Sequence, residues 1–208
     1  MPRDVVVNSD EELLESWKTG DRRAGDELFQ RHFEPVGRFF VNKTDGDVAE
    51  LVQNTFVRCL DAAERFEGRS SFRTFLFAIA HNLLREHYRA KVKDRRNEDL
   101  GAFSIEDLGA GPSTILQAKR EQQVLLRALR RIPMKDQVIL ELYYWEKLTA
   151  GQIGEVMEIP EDTARSRIRS GKARLKAAIV EVADEPGVVE STAGDLDGWA
   201  EKIRVELR

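Results

Sequence analysis

The sequence predicts an all-α chain: two helical domains joined by a flexible linker, followed by a short C-terminal helix. Three observations carry that expectation. Apolar residues recur at helical spacing along most of the 208 residues, and no alternating run of useful strand length is present. Residues with N-cap chemistry precede successive apolar stripes. Between residues 91 and 114 the stripes give way to a basic run and then to Gly101, Gly109, Gly111, Pro112 and Ser113, the composition of a linker.

The elements follow in order. Ser9 and Glu12 have capping-box spacing ahead of Leu13, Leu14 and Trp17. Asp21 is placed to cap a longer helix with Ala24, Leu28, Phe29, Phe33, Val36, Phe39 and Phe40 inward, and Pro35 should bend it or mark its weakest point. Residues 42–46 read as a loop. Asp47 can cap a helix whose core face is Val48, Leu51, Val52, Phe56, Leu60 and Ala63. Cys59, the single cysteine, belongs to this helical pattern and is expected to be a small buried residue. Residues 67–71 form a short loop, and a helix from about Phe72 to Arg89 turns Phe75, Leu76, Ile79 and Leu83 inward.

The second block begins near Ile115. One helix carries Val124, Leu125, Ala128, Leu129 and Ile132 and ends before Pro133. The next starts near Lys135 or Asp136 and carries Val138, Ile139, Leu142, Tyr143 and Trp145. Thr149 and Gln152 make another capping box, opening a short helix with Ile153, Val156 and Met157 inward. Residues 158–160 form a turn. The helix that follows holds Ala164, Ile168, Leu175 and Ile179 on one face, with Gly171 on the same stripe. Its remaining surface carries Arg165, Arg167, Arg169, Lys172, Arg174 and Lys176. A short helix, a tight turn and a basic amphipathic helix are the parts of a helix-turn-helix that enters the major groove of DNA. Glu158 stands where the turn asks for a left-handed residue, a conformation that costs a non-glycine residue about 1 kcal/mol.

Charge distribution supports a polyanion partner although the formal net charge is −4. Residues 163–180 hold six cations and no anion, and residues 67–96 are also net basic, while the segments around both are acidic. A solvated helix face would mix both signs. No apolar run approaches the roughly 18 residues of a membrane span. The first residues lack an apolar core of signal-peptide length, so a cytoplasmic location is expected, with no membrane insertion. An enzyme is not expected. His32, His81 and His87 show no metal spacing, no nucleophile constellation is present, and Ser170-Gly-Lys172 lacks the glycine loop of a phosphate-binding P-loop. No cofactor and no metal site are expected.

Residues 47–89, DVAELVQNTFVRCLDAAERFEGRSSFRTFLFAIAHNLLREHYR, closely resemble region 2 of bacterial sigma factors of the extracytoplasmic-function (ECF) class in the sigma-70 family. Residues 128–179 resemble region 4 of the same proteins, in the same order and with a linker between. The resemblance implies four segments: residues 9–92 as the region 2 domain, 93–114 as linker, 115–180 as the region 4 domain, and 181–208 as an extension. It implies core RNA polymerase as partner, through the β′ clamp helices and the β flap, together with promoter DNA. An anti-sigma factor is a further candidate partner.

On this reading Asp47, Glu50, Gln53 and Asn54, off the apolar stripe, face the polymerase. Capture of a flipped −10 base needs backbone donors, a small-residue loop and a polar group for its Watson–Crick edge. Gly68, Ser70 and Ser71 supply the loop, Asn82 the edge reader, and Phe66 and Phe72 are candidate walls of the pocket. Arg69, Arg73, Arg85 and Arg89 suit the phosphates of the opened strand. By position Arg165, Ser166, Arg167, Arg169, Ser170 and Lys172 are the −35 contacts. The chain departs from common family patterns at Gly154, where alanine is frequent, at Glu158, where glycine is frequent, and at Ser170, where larger side chains occur. A stand-alone operator-binding regulator using the same helix-turn-helix is the alternative. In the extension, Leu196, Trp199, Ala200, Ile203 and Leu207 form a helical stripe that would either regulate the protein or complete the region 4 core.

Overall fold

The computed structural model describes residues 8–44, 46–91, 99–108, 120–183 and 196–198. It is helical, and among the described residues β structure is confined to one isolated bridge between Ser104 and Pro133.

The predicted caps explain where the first helices start. In α1 (Asp10–Lys18) the Glu12 amide donates to Ser9 Oγ at 3.2 Å, and the Ser9 amide donates to Glu12 Oε2 at 2.7 Å. Asp21 Oδ1 accepts from the amides of Arg23 and Ala24 to open α2 (Arg22–Val41). That helix runs through Pro35 without a break. Asp47 precedes α3 (Val48–Ala63) but makes no side-chain cap; its carboxylate lies instead 3.4 Å from Lys91 Nζ and 3.8 Å from His87 Nε2. Ser71 Oγ accepts from the Thr74 amide at 3.1 Å and so opens α4 (Phe72–Lys91).

The face that α3 buries differs from the expected one. Leu51, Val52, Thr55, Cys59 and Ala63 are buried, whereas Leu60 is 43% and Val57 46% exposed. Thr55 can turn inward because its hydroxyl donates to the Leu51 carbonyl at 2.7 Å, leaving only its methyl to the core. Cys59 is fully buried, and burial pushes its thiol up to about 12.

The second block comprises α5 (Arg120–Arg131), α6 (Met134–Tyr144), α7 (Ala150–Met157) and α8 (Glu161–Val182). Helix α6 is the hub. Val138, Ile139 and Leu142 join the apolar cluster that Leu28, Phe40, Phe72, Leu76, Leu84 and others build from α1–α4. Leu140 and Tyr144 join a second cluster with Leu125, Leu129, Leu175, Ile179 and Leu196. Both faces are covered, which is why even Asp136 and Gln137 are buried there. Because α7 contributes Ile153, Val156 and Met157 to the first cluster, the two helical segments share one core and α7 lies against α4.

Over its described part the linker segment packs against the helices. Residues 100–102 form one 3₁₀ turn, Ile105 and Leu108 are buried, and the Met134 amide donates to the Phe103 carbonyl at 2.8 Å. The glycines drew attention there, while Phe103, Ile105 and Leu108 supply the apolar contacts that seat the segment. Residues 115–119 and Trp199 to Leu207 of the predicted stripes lie outside the described residues. No helix among the described residues is long and apolar enough to cross a membrane.

Candidate nucleic-acid interface

Helix α7 starts with the predicted box: the Gln152 amide donates to Thr149 Oγ1 and the Thr149 amide to Gln152 Oε1. It ends at Glu158, which takes the left-handed conformation at φ 55°, ψ 45°. The turn then folds back tightly enough for the Ile159 amide to donate to the Gly154 carbonyl at 2.9 Å. A Cβ on Gly154 would stand 2.7 Å from the Ile159 carbonyl oxygen. Two of the three departures from the family pattern, Gly154 and Glu158, therefore belong to the same tight turn. Glycine at 154 clears the path of the turn, and glutamate at 158 bears the backbone cost. Glu161 and Asp162 follow in the first turn of α8, where acidic groups favour the helix dipole.

Ala164, Ile168, Gly171, Leu175 and Ile179 fix the inner face of α8, as the spacing requires. Arg165, Ser166 and Arg169 are exposed, and Arg167, Ser170 and Lys172 half-buried. Arg165 pairs with Glu161 one turn back, and Ser170 Oγ donates to the Arg167 carbonyl. Lys172 is engaged by the extension. Its ammonium lies 2.7 Å from Asp197 Oδ1 and sits over the rings of Tyr143 and Tyr144. Asp197 also accepts from the Tyr144 hydroxyl at 2.7 Å. The lysine above all, and then the tyrosine, hold the Asp197 carboxyl below the usual carboxylate range.

A second candidate surface surrounds the loop after α3. An open cleft of about 480 Å³ is lined by Ala62, Arg65, Phe66, Glu67, Arg69, Ser70 and Phe75. Its apolar wall is Phe66 against Phe75, ring centroids 4.6 Å apart. Phe72, expected as a possible wall, is fully buried in the core, so Phe75 takes that role. Gly68, at φ +70°, lets the loop reverse, and Lys18 donates to the Phe66 carbonyl at 2.6 Å. Arg69 is exposed beside Glu67, and Ser71 is spent on capping α4. Asn82 is half-buried two turns beyond Phe75, about 10 Å further along the helix axis. Arg85 is half-buried and Arg89 exposed on the same helix. Arg73 is not free for DNA: it pairs with Glu146, a residue just past α6.

The third surface is on α3. Glu50 and Gln53 are exposed, Asn54 is half-buried, and Asp47 is tied to Lys91. Val57 and Leu60 continue the face of Gln53 at helical spacing, and Phe33 of α2, 61% exposed, stacks on Phe56 beside them. The sequence reading missed this apolar strip because it assigned Leu60 and Phe33 to the core. Among the described residues no group of three or more His, Cys, Asp or Glu side chains could hold a metal ion.

Comparisons with known proteins match both helical segments. The family model described as Sigma-70 region 2 matches residues 29–93, and that described as Sigma-70, region 4 matches residues 128–177. The chain is 26% identical over 169 residues to the ECF RNA polymerase sigma-E factor of Salmonella typhimurium, covering 77% of this chain and 88% of that one. It is 26% identical over 180 residues to the factor of the same name from Haemophilus influenzae, covering 82% and 95%. Among solved structures, CnrH in complex with the cytosolic domain of CnrY shares the fold at a TM-score of 0.57 and 21% identity, covering 85% of this chain and 100% of that one. The sigma factor RpoE of Bartonella quintana, solved with the anti-sigma factor NepR, does so at 0.57 and 17%, covering 79% and 99%. With both regions matched in order and on the helices that carry the cleft and the basic face, the chain belongs to the sigma-70 family, as an RNA polymerase sigma factor of the ECF type.

Proposed function

We propose that this sigma factor docks on core RNA polymerase through α3, reads the −35 element with α8 and captures a base of the −10 element in the cleft beside Phe66. The observation that carries the reading is the pairing of two unlike surfaces on one chain. One is a helix whose outward face is cationic and hydroxylic, suited to duplex phosphates and guanine edges. The other is an aromatic-walled cleft with Arg65 and Arg69 at its rim, suited to an unstacked base and its phosphates. A stand-alone operator binder has use for the first only.

On α3 the polymerase meets Glu50, Gln53 and Asn54 together with Val57, Leu60 and Phe33. A mixed polar and apolar strip of this kind suits a protein partner rather than DNA. Asp47 contributes once Lys91 releases it. Strand capture offsets the unstacking of a few base pairs, so opening proceeds without hydrolysis and the protein acts as a non-catalytic subunit in the cytoplasm. The working division is residues 9–92 for polymerase and −10 element, 93–114 as connection, 115–180 for the −35 element, and 181–208 as extension. An anti-sigma factor is proposed as a further partner, by analogy with the Bartonella quintana complex.

The test is direct. Purified protein is mixed with core RNA polymerase and a library of promoter fragments, and the transcripts are sequenced. Initiation at a shared pair of elements supports the reading. Failure both to bind core and to direct initiation refutes it.

A further inference from the structure

A lysine in the last turn of a helix ordinarily serves that helix's own carbonyls. Lys18, in the last turn of α1, does not. The carbonyls there are met by others. Thr19 Oγ1 donates to those of Glu15 and Ser16, the Gly20 amide to that of Trp17, and the Asp21 amide to that of Ser16. Lys18 instead reaches a residue 48 positions further along the chain. Its ammonium donates to the Phe66 carbonyl at 2.6 Å and lies 5.7 Å from the centroid of the Phe66 ring, within cation–π range. One cation therefore holds both the backbone and the side chain of the residue that walls the cleft after α3.

The helix that carries this lysine is firmly anchored. Leu13 and Leu14 are buried, and Asp10 Oδ2 meets His32 Nε2 at 2.6 Å. Trp17 lies on Gly25 so closely that a Cβ there would stand 2.6 Å from the indole, and it meets Phe29 edge-on with ring centroids 5.2 Å apart. The loop that Lys18 reaches is held by little else. Among the described residues, its hydrogen bond is the one that ties residues 66–70 to an element beyond the flanking α3 and α4. Among the described residues, too, the amides of residues 67–70 donate to no protein acceptor. Such amides are the backbone donors that a flipped base requires. The Phe66 carbonyl belongs to the same peptide unit as the Glu67 amide, so a cation on the oxygen strengthens that N–H as a donor.

We propose that Lys18 is a positioning residue for −10 capture: it fixes the Phe66 wall and the Glu67 amide so that the cleft accepts one base in preference to the others. The proposal rests on the reading of this cleft as the capture site. Lys18 acts through Phe66 and not on the base itself. It does not line the cleft, and its stem runs instead along a separate open hollow with Trp17, Leu60, Ala63 and Glu64. A wall and a donor held in place before the base arrives spare the cost of ordering them on binding. They also reject a base that fits badly, where an unheld loop would adapt to it.

The experiment uses the full chain bound to core RNA polymerase. Its probes are short labelled single strands carrying each base at each position of the −10 sequence that the transcripts share. Fluorescence anisotropy over a salt series gives affinity, base preference and salt slope together. Lys18→Met keeps the exposed stem and removes the donor. It should bind core as the parent does and lose about fivefold on the preferred base, the worth of one modest hydrogen bond. Affinity for the other bases and the salt slope should stay as in the parent. Lys18→Arg can donate to the same carbonyl and should restore the parent's preference. Parent-like preference in Lys18→Met would overturn the proposal, as would loss of core binding, the mark of a general structural role. A salt slope shallower by about 0.7 with preference intact would overturn it too, because Lys18 would then be a direct phosphate contact. So would a Lys18→Arg complex as indifferent among bases as Lys18→Met. A parent complex with no base preference would refute the capture reading itself, an outcome distinct from a failure of Lys18 alone.

Discussion

The carboxylate of Asp197 lies 2.7 Å from the ammonium of Lys172, joining the C-terminal extension to the basic face of α8. Leu196, next to it, is buried among Leu175, Ile179 and Tyr144. The described part of the extension thus joins an apolar core and pairs with one cation of the basic face of α8. Asp197→Ala should free Lys172 for a phosphate. Binding to −35 duplex should tighten by a few-fold, and the slope of log K against log salt should steepen by about 0.9, one added phosphate contact. Fluorescence anisotropy across a salt series measures both. An unchanged slope would mean that Lys172 makes no phosphate contact with or without Asp197.

The helix-turn-helix turn yields a paired prediction. Gly154→Ala forces a Cβ against the Ile159 carbonyl, at 2.7 Å without adjustment, and should destabilise the fold by about 1–3 kcal/mol, the usual range for overpacking. Glu158→Gly relieves the left-handed glutamate and should stabilise by about 1 kcal/mol. Urea denaturation of the two variants should move in opposite directions. Equal effects would break the link between the two positions.

How far the sequence alone reached can be judged from these same elements. Caps are local, so Ser9, Asp21 and Thr149 were readable from a few neighbours. The strain at Glu158 was readable for the same reason. The burial of Lys43 was not, because its partner Glu141 is 98 residues away and residues 42–46 carry only loop signals. Helix α3 was read with the wrong edge of its stripe. Cys59 is buried as expected, but Thr55 packs inward too although it does not look strongly apolar, and that leaves Val57 and Leu60 outward. Phe72 and Phe75 sit one helical turn apart, and only packing shows which one lines the cleft.

His81 gives the pH dependence. Burial, first, and then the charges of Arg85 and Lys43 push its imidazole down to about 4, while the Val156 backbone bond opposes the shift. Its folded pKa is depressed, so the unfolded chain binds the proton more readily between about pH 6.5 and 4. The neutral ring's contribution is fully present above pH 6.5 and lost as pH falls through that window, by up to about 3 kcal/mol. Denaturant midpoints should fall on acidification from pH 7 to 5, and His81→Leu should flatten the dependence. A variant with the parent's slope would place the acid sensitivity elsewhere.

Phe75 and Phe72 separate function from stability on one helix. Phe75 lines the cleft, half-buried and tilted against Phe66, whereas Phe72 is fully buried between helices. If the cleft receives an unstacked base, Phe75→Ala removes a stacking surface worth about 1–3 kcal/mol, a loss of roughly 5–150-fold in −10 single-strand affinity. Its cost to folding should be smaller, because the side chain already meets solvent on one side. Phe72→Ala should instead cost about 3–5 kcal/mol of stability, the range for a buried aromatic. Its binding, measured where the variant is still folded, should change little. Asn82→Ala is the companion measurement, since an edge reader loses discrimination among bases rather than overall affinity. A Phe75 variant that binds every −10 oligonucleotide as the parent does would move the capture site away from the cleft and along α4 toward Asn82.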